Sequence, residues 1–127
     1  MPKQHLNPAN MHTPTGYSHV VKAGDTIYIS GQVPVAPDGS IVGVDNPAAQ
    51  AEQIYQNLQI VLASAGASVR DVVKTTTYIV NPDCIDAVRE ARARYFGENP
   101  PTSTLVVISR LARPEFLIEI EAIAYVG

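Results

Sequence analysis

The sequence lacks several features that would assign a chain of this size to a specialised class. It has no tryptophan and one cysteine in 127 residues, and only 17% of its residues are charged. The single cysteine, Cys84, cannot form an internal disulfide, which favours the reducing cytoplasm. No apolar run reaches the ~18 residues of a membrane span, and the N-terminal residues lack the apolar core of a signal peptide. We therefore expect a cytoplasmic protein with no membrane contact.

Basic charge and metal-ligand patterns are also scarce. Nine Lys and Arg residues face twelve Asp and Glu residues, which gives a formal net charge of −3. This balance does not favour a broad basic face for nucleic acid. His5, His12 and His19 lie near the N-terminus without the spacing of metal ligands, and neither a P-loop nor a GxGxxG motif occurs. The sequence thus predicts no metal, no cofactor and no nucleic-acid partner.

The remaining composition suits one compact domain over residues 1–127, because 46% of the residues are hydrophobic. Residues 1–16 contain three prolines and are predicted to form an arm on the surface. Residues 17–43 predict a β-meander with turns at 23–25 and 36–39.

Two helices are predicted from caps and hydrophobic spacing. The first begins at Asp45 or Asn46, has Pro47 in its first turn and ends at Gly66. The second runs between Pro82 and Gly97. The first helix has one apolar stripe at helical spacing, formed by Ile54, Leu58, Val61, Leu62 and Ala65.

Further strands are predicted over residues 68–81, 102–110 and 115–126. The element order β-β-β-α-β-α-β-β predicts an α+β two-layer sandwich, in which both helices cover one face of a mixed sheet. The other sheet face then has no helix, and function is expected there.

The last strand shows what this uncovered face carries. Alternation places Glu119, Glu121, Ile123 and Tyr125 on it, and the opposite side of the strand is aliphatic. Such a mixed face favours contact with another subunit and pockets between subunits. Glu119 is a candidate general acid/base or water-positioning group. Alternatively, it satisfies backbone donors or pairs with an arginine across an interface.

The segment Ser30-Gly31-Gln32 lies at the end of a predicted strand. A glycine there lets a ligand approach the backbone, whose N–H can bind a carboxylate. The alternative is a β-bulge or a simple strand end.

Three segments carry a resemblance to a known family: TGYSHVV…IYISGQVPV, DVVKTTTYIV and RLARPEFLIEIEAIA. Over residues 14–126 the chain resembles the RidA/YjgF family. The resemblance implies a chorismate-mutase-like fold and a homotrimer whose sheets form a central barrel. It also implies three clefts between subunits that bind a small molecule.

The resemblance also implies site residues. Tyr17 would lie at the pocket edge, Ser30 and Gly31 would line the pocket, and Glu119 would position the hydrolytic water. In deaminases of the family, the strand that corresponds to PPTSTLVVISR of this chain carries an arginine that binds the substrate carboxylate. Here Ser103 occupies that position.

Two neighbours of Ser103 also belong to the predicted site. Thr104 continues the hydroxyl-rich mouth, and Leu105 stands where some deaminases have a cysteine. We hypothesise that Arg89, reaching across the subunit interface, replaces the missing cation. The alternative is that Arg89, with Arg92 and Arg94, belongs to a solvated helix surface.

The resemblance implies metal-free deamination of enamines or imines, or related C–N hydrolysis. The hydroxyl-rich mouth favours a larger or more neutral substrate than the usual imino acid, as in aminomuconate deamination. The alternative is a non-catalytic ligand-binding or regulatory trimer. Endoribonuclease activity, also attached to the family, is disfavoured by the acidic balance.

Overall fold

The computed structural model describes residues 2–127, and Met1, the first residue of the predicted arm, lies outside them. Within that range, six strands and two α-helices follow one another in the predicted order. They are β1 (Lys3–Leu6), β2 (Val20–Ala23), β3 (Thr26–Gln32), α1 (Pro47–Ser64), β4 (Val72–Ile79), α2 (Ile85–Phe96), β5 (Thr102–Val107) and β6 (Ile118–Tyr125).

The strands form a single six-stranded sheet with the order β1-β2-β3-β6-β4-β5. Only β4 and β5 are parallel, and the helix α2 connects them. Helix α1 packs on β3 and β6 and also contacts α2, so that both helices cover the same face. The predicted α+β two-layer sandwich with a mixed sheet is therefore confirmed.

Helix α1 forms because its ends and its apolar stripe agree. The Asn46 side chain accepts a hydrogen bond from the Ala49 N–H, and Pro47 occupies the first helical turn, where no N–H is needed. Gly66 follows the helix with a φ of 77°, a left-handed conformation that glycine adopts without strain. The whole predicted stripe is buried in the core: Ile54, Leu58, Val61, Leu62 and Ala65.

Helix α2 is preceded by a short 3₁₀ turn over Pro82–Cys84 and ends at Phe96, with Gly97 as its C-cap residue. Val88 and Ala91 bury its inner face against the core. Cys84 is buried, and burial raises the pKa of its thiol, so it contributes to the structure as a small apolar residue.

The N-terminal region differs from the prediction in two respects. The arm contains an edge strand, β1, which pairs antiparallel with β2, and Met11 is buried in the core. The last strand expected in the β-meander is reduced to one bridge between Val35 and Ile41. The predicted and observed numbers of strands agree only because the sequence analysis missed β1 and predicted a meander strand that does not form.

Two buried amides on α1 hold the loops at one end of the sheet. Gln50 donates to the carbonyls of Gly43 and Glu115 and accepts from the Leu117 N–H. Asn57 donates to the carbonyls of Val33 and Val35. These bonds satisfy backbone groups that the loops would otherwise bury without partners.

Among residues 2–127, neither helix has the length and apolar character needed to cross a bilayer.

Candidate functional site

The sheet face opposite the helices carries the predicted carboxylates. On β6, Ile118, Ile120, Ala122 and Ala124 are buried beneath the helices, whereas Glu119 and Glu121 lie on the other side and are half-buried. We call this side of the sheet the open face. Its alternation was correctly predicted from the sequence.

The strand β3 changes register beside Glu119. Its pairing with β6 shifts between Ile29 and Gln32, so that Ser30 and Gly31 form a bulge. The Ser30 hydroxyl donates to the Ser18 carbonyl at 2.6 Å, and the Ser30 backbone N–H donates to the His19 carbonyl at 3.0 Å. The bulge predicted as an alternative to a ligand site is therefore present, and it also shapes the wall of a cavity.

Glu119 occupies the space that this bulge leaves. A β-carbon at position 31 would lie 2.1 Å from Glu119 Oε2, so only glycine at position 31 allows the carboxylate this position. A cavity of about 360 Å³ opens in front of the carboxylate, lined by Tyr17, Ser30, Gly31, Val33, Ala112, Phe116 and Glu119. We call it the Glu119 cavity. Four residues predicted for the site meet there.

The electrostatics of this cavity favour proton transfer. Burial raises the pKa of the Glu119 carboxyl above its ordinary value of 4.5, and the negative charge of Glu121 raises it further. Burial also raises the pKa of the Tyr17 hydroxyl, with a contribution from the Glu119 charge. Glu121 itself accepts a hydrogen bond from the Tyr78 hydroxyl at 2.7 Å, which gives it a structural partner. Glu119 is the better placed of the two carboxylates to act as a base.

A buried polar cluster supports this wall, and the sequence analysis missed it. The Nε2 atom of His19 lies 2.8 Å from the His12 carbonyl oxygen, which requires a proton on Nε2. Its Nδ1 atom lies 3.3 Å from Nε2 of Gln32, and the Tyr17 ring packs edge-on against the His19 ring at 5.9 Å. Because both ring nitrogens are engaged and the ring is buried, His19 fixes Tyr17 and the arm. A histidine just after a polar arm gave no signal of this role.

The other predicted site residues lie elsewhere on the same chain. Pairing along β5 places Ser103 and Leu105 level with the buried Thr75 and Thr77, on the side of the sheet that the helices cover. Thr104 pairs with Thr76 and lies on the open face. Because β5 is an edge strand, the Ser103 side chain stays accessible although it lies on the helix-covered side of the sheet.

A second cavity, of about 560 Å³, lies between α2 and β5. It is lined by Ile85, Arg89, Arg92, Pro100, Pro101, Ser103 and Leu105. We call it the arginine cavity. Thus Arg89, Ser103 and Leu105 share one site, and the Glu119 cavity is another, with β4 between the strands that carry Ser103 and Glu119.

The three arginines of α2 differ in their partners. Arg94 pairs with Glu52 at 3.1 Å, and Glu52 also accepts a hydrogen bond from the Tyr95 hydroxyl. Arg92 donates from Nη1 to Ser103 Oγ at 3.1 Å. Arg94 therefore joins the two helices, whereas Arg89 and Arg92 border the arginine cavity.

Within residues 2–127, no group of three or more His, Cys, Asp or Glu side chains is arranged to hold a metal ion.

Comparison with known proteins places this chain among well-matched relatives. A family model described as Endoribonuclease L-PSP matches residues 8–126. A RutC family protein of Pyrococcus horikoshii is 38% identical over 117 residues, which cover 91% of this chain and 92% of that protein. The 3-aminoacrylate deaminase RutC of Acinetobacter baylyi is 33% identical over 129 residues, which cover 99% of this chain and 100% of that protein.

Solved structures agree with the fold over nearly the whole chain. YyfA of Yersinia pestis, described as a member of the conserved Rid protein family, superposes with a TM-score of 0.92 at 33% identity, covering 98% of this chain and 100% of that chain. The E. coli protein TdcF, solved with bound serine, superposes with a TM-score of 0.90 at 29% identity, covering 98% of this chain and 99% of that chain.

Proposed function

Because this chain belongs to the endoribonuclease L-PSP family, which includes the RutC and Rid proteins, we propose that it deaminates an enamine or imine by hydrolysis. One observation carries the proposal. The half-buried Glu119 carboxylate, its pKa raised, lies against Gly31 at the wall of an open cavity. A relative that matches this chain over its own full length is named 3-aminoacrylate deaminase RutC, which supports the reaction class.

The reaction needs a group that takes a proton from water and returns it. Glu119 accepts a proton as the water oxygen bonds to the carbon of the protonated imine, which gives a neutral carbinolamine. It then donates that proton to the carbinolamine nitrogen and takes the hydroxyl proton as the C–N bond breaks, so that ammonia and a carbonyl compound leave. An enamine first takes a proton from solvent at its β-carbon, which gives the same protonated imine. The raised pKa of Glu119 suits both transfers, because a pKa closer to neutral pH balances acceptance of a proton against its return.

We propose further that the active unit is a homotrimer with clefts between subunits. The open face exposes large apolar side chains, Tyr28, Val106 and Tyr125, each more than a third accessible. Such side chains favour burial against another subunit. An assembly of this kind would bring the arginine cavity of one subunit to the Glu119 cavity of its neighbour, which would join the two groups of predicted site residues.

In the joined cleft, the arginine cavity binds the acidic end of the substrate. Arg89 supplies the cation, and Ser103 and Leu105 supply hydroxyl and apolar contacts. Tyr17 and Ser30, at the other wall, enclose the reacting carbon beside Glu119. The substrate is a small metabolite of the aminomuconate type, converted in the cytoplasm.

A ligand-binding protein without catalysis is the second candidate. Ser103 offers a weaker anchor than an arginine would, and the related TdcF was solved with bound serine. RNA cleavage has less support, because His19 is buried and both of its ring nitrogens are engaged.

The deaminase proposal is tested by generating 2-iminopropionate and a dicarboxylic imine in situ and measuring ammonia release. We expect acceleration by the wild-type protein and loss of at least about 100-fold in Glu119→Gln, typical for removal of a general base. Glu98→Gln, an exposed carboxylate after α2, is the matched control and should retain activity. Equal ammonia release with and without the protein for both imines would reject the deaminase.

The assembly is tested by sedimentation of the wild type and of Val106→Asp. We expect three times the mass of one chain for the wild type and a smaller mass for the variant, because a charge would be buried in the interface. Val44→Asp, at an exposed loop position, should leave the mass unchanged. A wild-type protein that sediments as a monomer would overturn the proposed cleft.

A further inference from the structure

The arginine cavity has an unusual balance of charge. Arg89 and Arg92 both line it, and neither pairs with a carboxylate among the described residues 2–127, where Arg94 and Glu52 form the ion pair. The two arginines are three residues apart on α2, so their side chains lie on the same helix face as neighbours. Two positive charges one turn apart on the same helix face, without a counterion, repel each other. An anion placed between them would relieve that repulsion.

Ser103 adds a donor of defined direction. Because its Oγ accepts the hydrogen bond from Arg92 Nη1 at 3.1 Å, the hydroxyl hydrogen remains free to donate to a ligand. The side-chain polar groups that line the cavity are thus guanidinium N–H groups and one hydroxyl hydrogen. No carboxylate lines the cavity to compete for these donors. The cavity therefore selects a ligand whose oxygens are acceptors and carry negative charge.

The apolar part of the cavity limits the ligand further. Ile85, Leu105 and the pair Pro100 and Pro101 form its remaining wall. This combination suits a short carbon skeleton between charged ends better than a compact, fully hydrated anion. The volume, about 560 Å³, lies within the usual range for small-molecule sites.

We propose that Arg89, Arg92 and Ser103 form a site for a small dicarboxylate, in which one carboxylate pairs with each guanidinium. Arg92 has a second role, because its bond to Ser103 orients the hydroxyl toward the ligand. The substrate class of the enzyme is then an enamine or imine of a dicarboxylic acid, and in this one respect the inference rests on the proposed function. Binding of a dicarboxylate does not rest on it.

Calorimetry with the wild-type protein tests the ligand class. Fumarate is the dicarboxylate probe, propionate the monocarboxylate probe, and inorganic phosphate the compact dianion. We expect fumarate to bind at least about tenfold more tightly than propionate, since it makes one more set of charge-assisted hydrogen bonds. Propionate or phosphate binding as tightly as fumarate would overturn the assignment.

Variants test the residues. Arg89→Gln and Arg92→Gln should each weaken fumarate binding about tenfold or more and reduce its preference over propionate. Ser103→Ala should weaken it by a smaller factor, because a neutral hydroxyl is lost. Arg70→Gln, which removes an exposed arginine outside the cavity, is the matched control and should bind as the wild type does. Unchanged fumarate affinity in Arg92→Gln, with an unchanged thermal midpoint, would refute the role of Arg92.

The hydrolysis assay separates this inference from the proposed function. If fumarate binds in an Arg92-dependent way but neither imine is hydrolysed, the dicarboxylate site is supported and the deaminase proposal is rejected. If the dicarboxylic imine is hydrolysed equally well by the wild type and Arg92→Gln, the deaminase proposal is supported and the dicarboxylate site is rejected.

Discussion

The carboxylate of Glu119 and the α-carbon of Gly31 are so close that a β-carbon on residue 31 would lie 2.1 Å from Oε2. The contact joins β6 to the bulge of β3, where the register of the two strands shifts. It explains why a residue without a side chain faces a catalytic candidate. The glycine sets the position of the carboxylate, and the carboxylate gives the cavity its chemistry.

Gly31→Ala should reduce deaminase activity far more than stability. The atom that the new methyl group displaces is the end of a flexible side chain, so the fold can adapt while the carboxylate moves. A displacement of about 1 Å can cost ~100-fold in rate, which we expect in kcat. The control is the double variant Gly31→Ala/Glu119→Gln, which should be no slower than Glu119→Gln alone. Additive losses would show that Gly31 acts independently of Glu119.

Glu121→Gln should move the acid limb of the pH–rate profile to lower pH. In the proposed mechanism Glu119 must be ionised, so kcat/KM falls as pH drops through its pKa, which burial and then the charge of Glu121 raise above 4.5. Removing the charge of Glu121 removes the second contribution, and the glutamine oxygen can still accept from the Tyr78 hydroxyl. The measurement is kcat/KM between pH 4 and 8, compared with the wild type. An acid limb at unchanged or higher pH would contradict the assignment of this limb to Glu119.

Glu119→Gln should raise the thermal midpoint at neutral pH. Since the folded state raises the Glu119 pKa, it binds this proton more tightly than the unfolded chain does. Ionisation of Glu119 therefore opposes folding as pH rises above 4.5, and a neutral glutamine avoids that cost. Calorimetric scans should show the gain at pH 7 and its decrease toward pH 4. Glu98→Gln should show no such gain, and a destabilised Glu119→Gln at pH 7 would indicate a structural role for the carboxylate.

Gln50→Leu should strongly destabilise the protein. The substitution leaves the Gly43 and Glu115 carbonyls and the Leu117 N–H without their partner. A loss of about 2–4 kcal/mol in the free energy of unfolding follows from unsatisfied buried polar groups. Denaturant unfolding measures it, with Gln59→Leu at an exposed position of the same helix as control. Similar effects of the two substitutions would show that these hydrogen bonds contribute little.

Much of the fold was predictable because its signals are local. The cap at Asn46, the stripe on α1 and the alternation on β6 each depend on residues close in sequence. The β1 strand was missed since its stability comes from pairing with β2, and polar Lys3–Leu6 carries no alternation of its own. For the site, the sequence indicated Glu119 and Gly31 separately, but not their contact.

The sequence by itself determined the two-layer architecture and the face on which Glu119 lies, because hydrophobic period and capping act within one element at a time. Only the tertiary structure decided that Ser103 lies on the opposite side of the sheet from Glu119, and that Arg92 rather than Arg94 binds Ser103. These relationships join elements distant in the chain, through strand register and the packing of α2 on β5. No local pattern encodes such distances.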